Sequence, residues 1–105
     1  MSEALDRIQN IIIERRNASL DSSYVASLFA KGREKIAQKV GEEATETVIA
    51  ALSGDPAKLT GEAADLLFHL LILLEDGGLS IADVIDELER REGVSGLAEK
   101  ATRSV

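Results

Sequence analysis

The chain has no cysteine, which excludes disulfides and thiolate chemistry of either the catalytic or the metal-binding kind. Tryptophan is absent too, and Tyr24, Phe29 and Phe68 are the only aromatic residues. Recognition of a nucleobase by stacking therefore has little to draw on, which leaves backbone contacts for the task. Positive charge is in short supply: 12 Lys and Arg stand against 19 Asp and Glu, for a formal net charge of −7. This argues against nucleic acid as a partner, because binding to a phosphate backbone is driven by Lys and Arg. A small phosphorylated ligand stays open, since a local basic cluster or a divalent metal can hold one. The longest apolar run, "LLFHLLILL", contains His69 and falls far short of the about 20 residues that span a bilayer. The start, "MSEALDRIQN", lacks a secretory apolar core. The expectation is a cytoplasmic protein with no membrane partner. With 45% hydrophobic and 30% charged residues, and a single proline, the chain should fold, and its 105 residues read as one domain, 1–105.

What is present reads almost entirely as helix. "EALDRIQNIIIERR" places Leu5, Ile8 and Ile12 on one face. "NASLDSS" is a turn in which Asp21, Ser22 or Ser23 can cap "YVASLFAKG". From Arg33 to about Ser53, Ile36, Val40, Ala44, Val48 and Ala51 recur at helical spacing and form an apolar stripe. "SGDP" breaks the pattern: Gly54 ends one helix, Asp55 caps the next, and Pro56 suits its first turn. The most apolar helix follows and stops at Gly77 and Gly78. Ser80 and Asp83 have the spacing of a capping box before "IADVIDELERR". The segment from Glu92 to Val105 has little periodicity and reads as a short helical piece with a frayed end. No stretch keeps a period-two alternation, so the fold class is all-α.

The stretch "QKVGEEATETV" is the anomaly. Glu42, Glu43 and Glu46 crowd about one and a half turns of helix directly after Gly41. Like charges at i,i+4 repel by roughly 0.2–0.5 kcal/mol, and a helical glycine costs about 1 kcal/mol relative to alanine. On a helical wheel Lys35, Lys39, Glu42, Glu43 and Glu46 share the flank of the apolar stripe, and Glu43 and Glu46 are one turn apart. The next long helix repeats the i,i+3 spacing with Glu62 and Asp65, just before a stretch that is apolar on nearly every side. A helix apolar all round is a buried helix, so these two acids are expected at least partly inside, with no Arg or Lys on that helix after Lys58. Buried carboxylates must be protonated, paired or metal-bound. Two acid pairs on antiparallel helices can converge, and four oxygen donors suit Mg²⁺ or Mn²⁺ rather than zinc. A plainer account makes Glu42 and Glu43 solvated partners of Lys39, but it leaves Glu62 and Asp65 unexplained.

These residues carry a family resemblance. Glu42-Glu43-x-x-Glu46, fifteen residues, then Glu62-x-x-Asp65 resembles the signature of the all-α, MazG-like nucleotide pyrophosphatases. "KGREKIAQKVGEEATETVIAA", "GEAADLLFHLLILL" and "GLSIADVIDELERR" narrow it to the phosphoribosyl-ATP pyrophosphatase family of histidine biosynthesis, over roughly residues 23–91. The resemblance implies Mg²⁺-dependent hydrolysis of phosphoribosyl-ATP to phosphoribosyl-AMP and pyrophosphate, with Mn²⁺ as a substitute ion. It implies a homodimer, or a higher assembly, whose helices pair into a four-helix core. It places Glu42, Glu43, Glu46, Glu62 and Asp65 in the catalytic site, with Glu43, Glu46, Glu62 and Asp65 as metal ligands. Glu42 is left between three roles: a group behind the ligands, an extra ligand, or a base orienting the attacking water. Family members often carry a fused cyclohydrolase domain, for which this chain has no room. Lys31, Arg33, Lys35 and Lys39, the densest basic stretch, are the candidates for phosphate contacts, Lys39 foremost because it shares the acid flank. Gly41 is read either as room for backbone or substrate approach or as an aid to helix packing. His69, one turn beyond Asp65, is read as a satisfied core residue before a ligand or an acid–base group. Asp76 lies near the helix end, where a surface role is favoured. Two rival functions remain: a housecleaning nucleoside triphosphate pyrophosphatase of the same superfamily, and a non-catalytic helical dimerisation module.

Overall fold

A computed structural model describes residues 3–92, and these contain α-helices without strands. The helices are α1 (Glu3–Arg16), α2 (Tyr24–Lys31), α3 (Arg33–Leu52), α4 (Pro56–Asp76) and α5 (Ile81–Arg90). The expected helical piece at the C-terminal end lies, beyond Glu92, outside the described residues.

Local chemistry sets the breaks. Of the three candidate caps, Ser23 takes the position, its Oγ accepting from the Ala26 N–H at 3.1 Å. Gly32 alone separates α2 from α3, at φ 94°, a left-handed backbone that only glycine adopts without strain. Asp55 caps α4 by accepting from the Ala57 N–H at 3.0 Å, and Pro56 opens that helix. At the far end of α4 the Gly77 N–H donates to the Leu73 carbonyl and the Leu79 N–H to the Leu74 carbonyl. The capping box before α5 forms as expected: the Asp83 N–H donates to Ser80 Oγ, and the Ser80 N–H donates to Asp83 Oδ2 at 2.8 Å.

The long helices α3 and α4 form an antiparallel hairpin, joined at residues 53–55 and tied at the end away from that turn by Arg33 and Asp76. The core gathers at this tied end, where α1, α2 and α5 join it: Ile12, Val25, Leu28, Ile36, Leu71, Ile72 and Ile81 are buried together. Gln9, buried on α1, locks the α4–α5 connection. Its Oε1 accepts from the Ile81 N–H at 2.8 Å, and its Nε2 donates to the Leu79 carbonyl at 3.4 Å. Arg16 donates to Glu75 Oε2 at 3.1 Å and stacks on the Phe29 ring at 4.5 Å.

Two expectations need correcting. The wheel put Val48 and Ala51 on the apolar stripe of α3, yet both are exposed, and the buried line is Ile36, Glu43 and Ala50. The wheel sees only which residues are apolar; α4 covers α3 along a line spaced by seven, and that line runs through a glutamate. Likewise α4 is not covered all round within one chain. Leu67 is 47% exposed and Asp65 lies at the surface. The turn end of the hairpin is the least covered, with Val48 and Ile49 exposed and Leu52 at 84%.

Candidate active site

Antiparallel pairing brings residues of α3 and α4 together in a fixed order. Glu43 meets the turn of α4 that carries Glu62 and Asp65, and oxygens of these three carboxylates lie within 4.8 Å of one another. Glu43 is only 7% exposed. Its Oε2 and the Oε2 of Glu62 are shut off from solvent without a hydrogen-bond partner among the described residues. At about 4.8 Å and an effective dielectric near 20, each carboxylate pair repels by roughly 3 kcal/mol before the exposure of Asp65 is allowed for. Lys39 offsets part of this, its Nζ lying 3.6 Å from Glu43 Oε1 and 3.3 Å from Glu42 Oε1. Glu62 and Asp65 form no ion pair among the described residues. Two buried, unpaired carboxylate oxygens facing a third acid are what a hard cation with oxygen ligands would satisfy.

The five signature acids do not all meet. Glu46 stands apart from the cluster of three and lines a cavity of about 240 Å³ with Glu62, Ile49, Ala50, Ser53 and Lys58. Glu42 points outward. It accepts from Gln38 Nε2 at 2.7 Å and from Lys39, and these two hydrogen bonds hold its carboxyl below the usual range. The hydrogen bond to Glu42 in turn raises the Lys39 ammonium. A Cβ added at Gly41 would meet nothing within 4 Å, so packing inside the chain does not require this glycine. It lies beside Glu42 and Glu46 on an open face.

The basic stretch divides. Lys39 is at the acids. Arg33 is at the opposite end of the hairpin, its Nε donating to Asp76 Oδ2 at 2.7 Å and its Nη2 to the Asp76 carbonyl at 2.8 Å. Asp76 thus serves as an ion-pair partner. Lys31 is exposed and Lys35 half-buried, and neither has an ion-pair partner among the described residues.

Sequence reasoning passed over two residues. Lys58 is one turn before Glu62 and shares its cavity; the i,i+4 spacing on one face was the available signal. Tyr24, the first residue of α2, forms a 2.6 Å hydrogen bond with Nε2 of the buried His69. Nδ1 of His69 lies 2.7 Å from the Asp65 carbonyl oxygen. Both ring nitrogens are therefore engaged, and His69 is the satisfied core residue that was expected. Burial pushes the Tyr24 phenol up, Lys39 opposes this, and the charges of Glu43, Glu42 and Asp65 add to the rise.

Comparison with known proteins shows the family. The family model for phosphoribosyl-ATP pyrophosphohydrolase matches residues 5–92. The chain belongs to that family. It is 62% identical to the phosphoribosyl-ATP pyrophosphatase of Rhizorhabdus wittichii over 98% of this chain and 97% of the relative. It is 63% identical to that of Erythrobacter litoralis, over 94% and 95% of the two chains. The enzyme of that name from Zymomonas mobilis is 61% identical over 96% and 94%. The three alignments span nearly the whole of each chain, and the range matched by the family model includes the acids, the hairpin and the supporting helices. Among the described residues no helix is long and apolar enough to cross a membrane.

Proposed function

We infer that this chain hydrolyses phosphoribosyl-ATP to phosphoribosyl-AMP and pyrophosphate, a step of histidine biosynthesis, at the acids between α3 and α4. The observation that carries the reading is the pair of buried, unpartnered oxygens on Glu43 and Glu62 beside Asp65. Family membership supplies the substrate and the reaction. The donor set is all oxygen, so the ion is Mg²⁺, with Mn²⁺ as substitute.

Glu43, Glu62 and Asp65 would hold the ion, and Glu46, which shares a cavity with Glu62, would be the fourth ligand. When bound, the ion neutralises charge on the transferred and departing phosphates and orients the water. Lys39 steers and holds the triphosphate, with Lys35 one turn behind it. Lys31 and Arg33 contribute at longer range, Arg33 through what its pairing with Asp76 leaves free. Glu42, already ionised beside Lys39, accepts a proton from the attacking water. Attack falls on the α-phosphorus, where the bond to the β-phosphate breaks and pyrophosphate leaves.

The active form is a cytoplasmic homodimer. The uncovered apolar side chains Val48, Ile49 and Leu52 at the hairpin turn, and Leu67 on α4, are covered by a second copy, which completes a four-helix core. Light scattering at micromolar concentration should return twice the chain mass; a monomer mass rejects the shared core.

The test of function is product analysis with reagents free of other pyrophosphatases. Phosphoribosyl-ATP should give phosphoribosyl-AMP and pyrophosphate, faster than any member of a panel of ordinary and noncanonical nucleoside triphosphates. Orthophosphate as primary product, or a preference for a noncanonical triphosphate, overturns this reading, the latter in favour of a housecleaning enzyme.

A further inference from the structure

The mechanism above leaves one buried titratable side chain at the centre unused. His69 is 6% exposed, lies one turn beyond Asp65, and is bonded through both nitrogens. The partners fix where its proton sits. A backbone carbonyl can only accept, so Nδ1, 2.7 Å from the Asp65 carbonyl oxygen, carries the hydrogen. In the neutral ring Nε2 is then the acceptor, and the Tyr24 hydroxyl, 2.6 Å away, donates to it. The hydroxyl proton of Tyr24 is thereby committed inward. What remains on that oxygen is a lone pair.

The root of this phenol is held firmly. Tyr24 opens α2 directly after the Ser23 cap, and its carbonyl accepts from Ser27 Oγ at 2.8 Å. The ring meets the imidazole edge to face, at 5.6 Å and 81°. Yet Tyr24 is 51% exposed, and it lies within electrostatic reach of Lys39, Glu43, Glu42 and Asp65. Its hydroxyl is separated by one imidazole ring from the backbone of Asp65, a member of the acid cluster, and its oxygen is able only to accept. Ionised phosphates also only accept, so this oxygen cannot bind them. The ribose joins the triphosphate directly, and its hydroxyls are the donors nearest to a phosphate held at the acids.

Resting on the reading of the site as one for phosphoribosyl-ATP, we propose that His69 is a positioning residue whose Nε2 accepts the hydrogen bond of the Tyr24 hydroxyl, so that Tyr24 accepts a hydrogen bond from a ribose hydroxyl of the nucleotide and not from its phosphates. Specificity for a nucleotide over a bare polyphosphate then comes in part from α2, outside the acid signature.

Turnover of phosphoribosyl-ATP by the wild type is measured first, and separates failure of the substrate reading from failure of this one. Tyr24→Phe keeps the ring and loses the oxygen. Its KM for phosphoribosyl-ATP should rise about 2- to 10-fold, the range of one neutral hydrogen bond, with kcat changed far less. Its inhibition constant for fully ionised inorganic tripolyphosphate, which has no hydroxyl, should not move. If Tyr24 merely anchored α2 against the acids, both ligands would weaken together, and that result overturns the proposal, as does an unchanged KM. ¹⁵N NMR of the His69 ring in the free wild-type protein, with no turnover needed, should find the proton on Nδ1 and an unprotonated Nε2. A proton on Nε2 overturns the proposal independently.

Discussion

Helix α4 carries acids toward both ends of its length, and their surroundings differ. Glu75 and Asp76, at the end where the small helices pack, are met by Arg16 and Arg33 at 3.1 and 2.7 Å. Glu62 and Asp65, toward the hairpin turn, converge on another glutamate, Glu43, and form no ion pair among the described residues. The first pair closes the fold; the second works against it. A chain with arginines on neighbouring helices places none of them at its most crowded acids. The difference separates charge that holds the structure from charge kept open for a ligand.

The comparison is broken most forcefully by neutralising the open end. Asp65→Asn keeps the size of the side chain and removes its charge. It should reduce turnover more than about 100-fold, since even partners behind a ligand cost 10–100-fold when lost, while circular dichroism stays helical. Steady-state rates check this, and wild-type rates would remove Asp65 from the site. Next in size is Lys39→Ala, which takes away the cation paired with Glu42 and Glu43. KM and kcat should both worsen, by about 10-fold or more in kcat/KM, because a cation near developing charge also acts in the transition state. Unchanged kinetics would shift the phosphate contact to Lys35 or Lys58.

Stability sharpens the contrast, because the two ends should respond with opposite signs. Asp76→Asn at the paired end should lose up to about 1 kcal/mol, a few degrees in Tm, with activity intact; the arginine is largely exposed, which keeps the loss small. Glu62→Gln at the open end should melt no lower than the wild type when metal is absent, because it relieves repulsion from Glu43 and Asp65. Calorimetry of both in chelator decides. A large loss in Glu62→Gln would make that acid structural.

The smallest effect is on α5, where Arg90 and Arg91 hold the Glu87 carboxyl down to about 2. A depressed carboxylate stabilises the fold above its unfolded pKa and loses that contribution as pH falls toward the folded value. Any stability advantage of the wild type over Glu87→Gln should therefore be full above pH 4.5 and vanish as the pH approaches about 2. Paired melts across that range test it, and an advantage that grew on acidification would contradict it.

The elements that depend on local chemistry were readable in the sequence. Ser23, Asp55, Pro56 and the Ser80–Asp83 box stop and start helices through neighbours a few residues away, and each does so. The meeting of Glu43 with Glu62 and Asp65 was readable in part: the two acids of α4 turn toward α3 as their spacing suggests, but Glu46, one turn from Glu43, stands apart from the cluster. What spacing leaves open is which face the partner helix covers. That is why Val48 falls on the apolar stripe and Glu43 on its flank, while α4 covers Glu43 and leaves Val48 exposed. Nor does it resolve reach across helices: Arg33 is close to the acids in sequence, but half a helix away in space and bonded to Asp76. The Tyr24–His69 bond joins residues 45 apart and leaves no local trace in either segment.

The central claim is that the acids of the open end are unpaired because a divalent cation belongs there. It is met most directly by melting the wild type and Asp65→Asn side by side with Mg²⁺ or Mn²⁺ and with chelator. At a tenfold excess over Kd, the ion should stabilise the wild type by about 1.4 kcal/mol, which is roughly 6–11 °C for a domain of this size. The variant should shift far less. No shift in the wild type, or an equal shift in both, would contradict the account.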